Sequence, residues 1–213
     1  MRLGMFPLGN VVLPGEMVPL HVFEPRYRRL VLDCLAIPEG RPEFGVALIE
    51  RGSEVGGGDD RTSVATAARI VRVDPLDGGR FALVTIGTRR LSVLEWLPDD
   101  PYPIADVDDW PDTVDDDAEH QSAIAAMTSR VDDVRQLAVE VEQASKPKTA
   151  TRPATARKLS SDVVLATYQL AARSPIGPAD RHRLLQAPSV AVRLEMLAEA
   201  LDDVEAMLRF RLA

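Results

Sequence analysis

The chain has 213 residues, of which 46% are hydrophobic and 27% charged, with a formal net charge of −8 at neutral pH. That composition fits one larger globular domain or two small ones, and no run approaches the roughly 20 apolar residues that would cross a bilayer. Scattered, outnumbered bases argue against a nucleic-acid role, and a single cysteine, Cys34, excludes an internal disulfide framework and suits a reducing cytoplasm.

From the N-terminus, two short apolar segments, Phe6 to Leu13 and Met17 to Phe23, flank a Pro14-Gly15 turn. Pro7 and Gly9 interrupt the first, so no signal peptide is expected. Pro25 fits the first turn of a helix, where its missing N–H costs nothing, and Tyr27, Leu30, Val31, Cys34 and Leu35 then recur at helical spacing. Phe44 to Ile49 has the length of a buried strand and runs out at Gly52 and the loop Gly56-Gly57-Gly58-Asp59-Asp60. Ala68 to Val73 is a β-branched strand, and Asp77-Gly78-Gly79 turns it into a second one, Arg80 to Gly87. Thr88 to Trp96 and Tyr102 to Val107 read as two more. Six or so strands with one early helix, and no helices interleaved, predict a closed or nearly closed β-barrel.

Beyond the barrel the period changes to that of helices. Over Ala118 to Ser145, Ile124, Met127, Val131, Val134, Leu137 or Ala138, and Val141 form one stripe, and Asp115 to Asp117 with Glu119 favour its N-terminus. Shorter helices are expected over Asp162 to Arg173, introduced by Ser160 and Ser161, and over Pro178 to Leu185. Ser189 should cap a last helix carrying Val190, Leu194, Leu197, Leu201, Val204, Leu208 and Leu212 on one face. The fold class expected is therefore α+β, with a β-rich subdomain over 1–114 and an α-helical bundle over 115–213. The stretch from Lys146 to Lys158, with five positive and no negative charges, is expected to be a solvated loop between two helices.

Few residues combine into chemistry. The acidic run from Asp99 to Glu119 lacks the alternation and the turning glycine of a calcium loop. Gly56-Gly57-Gly58 is followed by acidic residues rather than by Gly-Lys-Ser/Thr, so it is no phosphate loop. Cys34 with His21 is the one Cys–His candidate, but Cys34 falls on the apolar stripe of the first helix, and His21 should face the polar side of its strand. His21, His120 and His182 share no metal-ligand spacing. No catalytic residue, metal or cofactor is assigned.

The opening pattern, Pro7-Leu8 followed by Val11-Val12-Leu13-Pro14-Gly15 and Val18-Pro19-Leu20-His21-Val22-Phe23-Glu24-Pro25-Arg26-Tyr27, resembles the start of the Lon protease N-terminal domain. Arg69 to Val73, the Asp-Gly-Gly hairpin, Gly87-Thr88-Arg89-Arg90-Leu91 and the helical Leu194-Glu195-Met196-Leu197 are similar to later parts of that domain. The resemblance implies a PUA-like β-fold carrying a helical bundle and a non-catalytic module that binds unfolded or degradation-marked polypeptides. It implies a possible partnership with a separate ATP-dependent protease, since neither Lon's phosphate loop nor its serine–lysine protease half is seen in these residues. Capture is expected by strand addition at a sheet edge or in a groove between the two halves. The expected binding residues are Val12, Leu13, Pro14, Gly15 and Met17, at a turn whose prolines leave strand carbonyls without a partner. No membrane or nucleic-acid partner is expected, and the chain should be a cytoplasmic monomer or weak homodimer. The alternatives are a nucleic-acid-binding PUA-like protein, a hydrolase with an unrecognised active site, and a structural adaptor that binds one fixed partner.

Overall fold

The computed structural model describes residues 1–37, 41–113, 117–145 and 158–212. They form two compact units, Met1–Pro111 and Asp112–Ala213. The first holds β1 (Arg2–Gly4), β2 (Met17–Val22), α1 (Pro25–Leu35), β3 (Glu43–Arg51), β4 (Asp60–Leu76), β5 (Arg80–Leu97) and β6 (Ile104–Asp109).

Local chemistry explains most of these boundaries. α1 starts with Pro25 in its first turn and turns Tyr27, Leu30, Val31 and Cys34 inward, while Leu35, at the end of the same stripe, is exposed. The β4–β5 hairpin closes through Asp77–Gly79, with Gly78 at φ 74° and Gly79 at φ 70°, a conformation in which a side chain would be strained.

The strands make one sheet of six, ordered β1-β6-β5-β4-β3, with β2 pairing β5. Every ladder is antiparallel. This corrects the expected barrel: the sheet is open, and its end strands β1 and β3 form no ladder with each other. Residues 5–8 instead reach β3 through isolated bridges, Met5 to Gly45 and Leu8 to Leu48, with the Phe6 N–H donating to the Gly45 carbonyl at 2.7 Å. Pro7 stands between them without an N–H to extend the pairing, and the chain bends away at Gly9 and Asn10.

Two further corrections concern strand length. β4 begins at Asp60, not Ala68, and the two strands expected over Arg80 to Trp96 are a single one. β5 is continuous because β4 pairs with one of its edges from Arg80 to Ser92, while its other edge changes partner midway. Phe81 to Ile86 pair with β2, and Leu91 to Leu97 with β6. At the changeover the Gly15 N–H donates to the Gly87 carbonyl at 2.8 Å and the Gly87 N–H to the Glu16 carbonyl at 2.9 Å. A Cβ on Gly87 would lie 2.3 Å from the Leu13 carbonyl oxygen, so only glycine lets the Pro14-Gly15 turn settle there.

One core cluster of this unit joins Phe6, Val12, Val22, Tyr27, Leu30 and Phe44 under α1, and another joins Leu3, Met5, Ala67, Leu91, Ala105 and Val107.

The second unit holds α2 (Asp117–Ser145), α3 (Val163–Arg173), α4 (Pro178–Gln186) and α5 (Val190–Leu212). α2 lies against α3 and α5. It buries Ile124, Val131, Val134 and Val141, and α5 buries Val190, Leu194, Leu197, Leu201 and Leu208. Ser189 caps α5, its Oγ accepting the Val192 N–H at 3.3 Å. The cap of α3 is Asp162, whose carboxylate accepts the Leu165 N–H at 3.0 Å, while the Ser160 hydroxyl accepts the Asp162 N–H.

A buried arginine pins this unit. Arg193 pairs with Asp112, donates to Thr167 Oγ1 at 3.0 Å and to the Tyr168 hydroxyl at 2.7 Å, and places its guanidinium 3.7 Å from the Tyr168 ring centre. Residues 146–157 of the expected basic loop, and Asp115 and Asp116 of the expected acidic helix start, lie outside the described residues. Among the described residues no helix is long and apolar enough to cross a membrane.

Candidate functional site

The first unit carries a groove beside β2. That strand pairs with β5 on one side only among the described residues, which is how the sheet accommodates Pro19, a residue with no N–H for a second ladder. Along it Val18, Leu20 and Val22 pack toward the core while Met17, Pro19 and His21 face outward. After Val22 the chain leaves the sheet through Phe23 and Glu24 and enters α1.

The other wall is the loop over residues 52–59, held to both sides of that exit. The Gly9 N–H donates to Glu54 Oε1 at 2.5 Å, Arg26 Nη2 to the Glu54 carbonyl at 3.4 Å, and the Gly56 N–H to Glu24 Oε2 at 3.5 Å. Gly57 is required where it stands, with φ at 80° and Arg26 Nη1 at 2.9 Å from where a Cβ would be. Between strand and loop lies a cavity of about 200 Å³. Phe6, Leu8, Leu20 and Tyr27 line its depth, and Phe23 and Val55 stand at its mouth with 48% and 57% of their surface exposed.

The floor is rigid. The Phe6 and Tyr27 rings stack with centroids 4.1 Å apart, and the Arg26 guanidinium sits 4.4 Å over the Tyr27 ring while pairing with Glu24 at 3.2 Å. Burial pushes the Tyr27 phenol up to about 12, so it stays neutral at physiological pH. His21 is exposed at the edge, 6.0 Å from the Phe23 ring. The site thus offers an apolar slot, a strand edge with no partner among the described residues and a carboxylate rim of Glu24 and Glu54.

Cys34 has no such access. It is buried, its thiol donates to the Glu43 carbonyl at 3.3 Å, and burial, reinforced by Asp33 and Glu43, pushes it up to about 12. A thiol held protonated in this way is a poor nucleophile. Among the described residues no group of three His, Cys, Asp or Glu side chains is placed to hold a metal ion.

The five residues singled out in the sequence do come together, at the turn that abuts Gly87. Val12, Leu13 and Pro14 are buried there, Leu13 completely, and Gly15 is half-buried. Met17 is the exposed one, at 52%, and opens the outward face of β2 that leads past Pro19 to His21 and the groove. Leu8, Leu20, Phe23, Glu54 and Val55 line the groove but were not among the expected binding residues. Two of these carried a local signal: Val55 is a lone apolar residue in a polar, glycine-rich loop, and Phe23 ends the β2 segment on its outward side.

The family model of the substrate-binding domain of ATP-dependent protease La (Lon) matches residues 2–203. The chain belongs to the Lon substrate-binding domain family.

Within curated Lon proteases, that of Flavobacterium johnsoniae is 27% identical over 152 residues, covering 70% of this chain and 18% of the relative. That of Anaeromyxobacter dehalogenans is 24% identical over 213 residues, covering 97% of this chain and 24% of the relative. The chain therefore spans a quarter or less of the length of these Lon relatives. Among solved structures, a Lon N-terminal domain protein from Xanthomonas campestris is 26% identical with a TM-score of 0.65, over 93% of this chain and 98% of that one. The N-terminal domain of a Mycobacterium avium complex Lon protease shares the fold at 19% identity, with a TM-score of 0.58 over 95% and 99% of the two chains.

Proposed function

We propose that this chain is a non-catalytic module that captures extended, apolar segments of unfolded or degradation-marked polypeptides in the groove beside β2. The observation that carries this reading is the exposure of Phe23 and Val55 at the mouth of an apolar slot, next to a strand edge with no partner among the described residues. Membership of a substrate-binding domain family supports it. An incoming segment lies along β2, exchanges backbone hydrogen bonds with the outward groups of Met17 to His21, and sinks one large side chain between Phe23 and Val55. In this reading Met17 extends the capture track, while Val12, Leu13, Pro14 and Gly15 hold the turn from which the track starts.

The β unit is taken as PUA-like, with the boundary near residue 114 and the helices of 115–213 as a bundle. The module acts as a cytoplasmic monomer or weak homodimer and hands its clients to an ATP-dependent protease.

Hydrogen exchange of the full chain with and without a saturating unfolded protein, such as casein, tests the reading. Protection should appear over residues 17–24 and 53–57. Saturable binding with protection confined to residues 117–212 would overturn it, as would no binding at all.

A further inference from the structure

The rim of the groove carries a charge that its neighbours leave uncompensated. Glu24 is paired with Arg26. Glu54 is exposed and makes no ion pair among the described residues. Its Oε1 takes the Gly9 N–H, its Oε2 has no hydrogen-bond partner among the described residues, and the Arg26 guanidinium reaches its backbone carbonyl rather than its carboxylate. That hydrogen bond and Arg26 fix the carboxylate at the mouth of the slot, beside Val55, instead of leaving it to swing on a flexible stem. Besides Glu24, Arg26 and Glu54, the ionisable side chains at the slot are His21 and the neutral phenol of Tyr27, and the whole chain adds a negative field through its net charge of −8.

We propose that Glu54 is a charge selector for the captured segment: it favours polypeptides with a lysine or arginine beside the apolar anchor and disfavours those with an aspartate or glutamate there. The inference rests on the groove reading above. An anchored side chain fills the slot, and in an extended segment the adjoining residues lie within about 7 Å of it, inside the roughly 8 Å Debye length of physiological salt. A long basic side chain then reaches Oε2, whereas an acidic one meets a fixed like charge that Arg26, already engaged by Glu24, does not neutralise. The same rim therefore both attracts and rejects, which is what discrimination between segments of equal hydrophobicity requires.

Three fluorescein-labelled extended decapeptides with one shared aromatic anchor, flanked by lysine, serine or glutamate, test this on the full chain. Affinity should fall in the order lysine, serine, glutamate. The lysine-to-glutamate ratio should be about tenfold in 20 mM salt and about threefold at 0.3 M, as expected for a half-exposed pair. Glu54→Gln keeps an acceptor for the Gly9 N–H and should reduce that ratio to twofold or less. Glu50→Gln removes the same formal charge from an exposed site outside the groove and should leave the ratio unchanged.

Equal binding of the three peptides, with Val55→Ser still weakening all of them, overturns the selector and leaves the groove standing. An undiminished ratio in Glu54→Gln also overturns it. If no peptide binds, or if Val55→Ser affects none of them, the groove reading falls and the selector with it.

Discussion

Replacing Val55 with serine separates binding from folding more cleanly than any other change at the groove. Burying a valine side chain completely is worth about 1.5–3 kcal/mol, and 57% of Val55 is still exposed to be covered by a ligand. The share open to a captured segment is therefore about 1–1.5 kcal/mol, of which ordering the loop and the ligand consumes part. An expected loss of about 1 kcal/mol corresponds to roughly a fivefold rise in Kd. Stability should hardly move, because the loop is fixed through the Glu54 carboxylate, the Glu54 carbonyl and the Gly56 N–H, none of which belongs to the valine side chain. Fluorescence anisotropy with labelled unfolded casein reads the first quantity and urea unfolding the second, with a change below about 0.5 kcal/mol expected. Binding within twofold of the parent protein would refute the placement of the slot. Phe23→Ser should weaken binding further, but its buried half also packs against the unit, so its stability must be measured alongside.

Leu13 and Met17 should behave in opposite ways despite standing four residues apart. Leu13→Asp places a carboxylate in a fully buried site and should cost more than the about 2–5 kcal/mol of a leucine truncation, whereas Met17→Asp should stay within about 0.5 kcal/mol in urea and weaken casein binding; equal stabilities for the two would contradict the burial described. Arg193→Ala removes the buried guanidinium that balances the Asp112 carboxylate and bonds Thr167 and Tyr168, and should destabilise the helical unit by about 3–5 kcal/mol in thermal or urea melts, with a loss under 1 kcal/mol as the contrary result. The Cys34 thiol ionises in the unfolded chain near its ordinary value of 9 and in the folded chain only near about 12. The unfolded state therefore loses its proton first, and stability that is complete below pH 9 falls by about 1.4 kcal/mol per pH unit as pH rises toward 12. Cys34→Ala should remove that part of the alkaline slope, and the folded protein should resist alkylation by iodoacetamide at pH 8.

The elements legible in the sequence are those whose causes lie within a few residues. Pro25 with the Tyr27, Leu30, Val31 and Cys34 stripe marks α1, Ser189 marks the start of α5, and Asp77-Gly78-Gly79 marks a hairpin, because first-turn geometry, capping and positive φ act locally. The opening motif also pointed to the family, since Pro7, Pro14, Pro19 and Pro25 all restrict the same short stretch of backbone. What tertiary structure alone decided is how that stretch is used. Gly87 looked like the end of one strand and the start of another, but it is the point where a single long β5 exchanges β2 for β6, and the reason is the Leu13 carbonyl pressed against it from 74 residues away. The same packing turned Val12 and Leu13 inward and left Met17 outside, a choice that alternation in the segment could not make. It also left the sheet open where Pro7 limits pairing with β3 to isolated bridges. The groove depends most on distance along the chain: Gly9 holds Glu54 and Glu24 holds Gly56 through hydrogen bonds that span 45 and 32 residues, and no periodicity within a segment reports which loop will close over which strand.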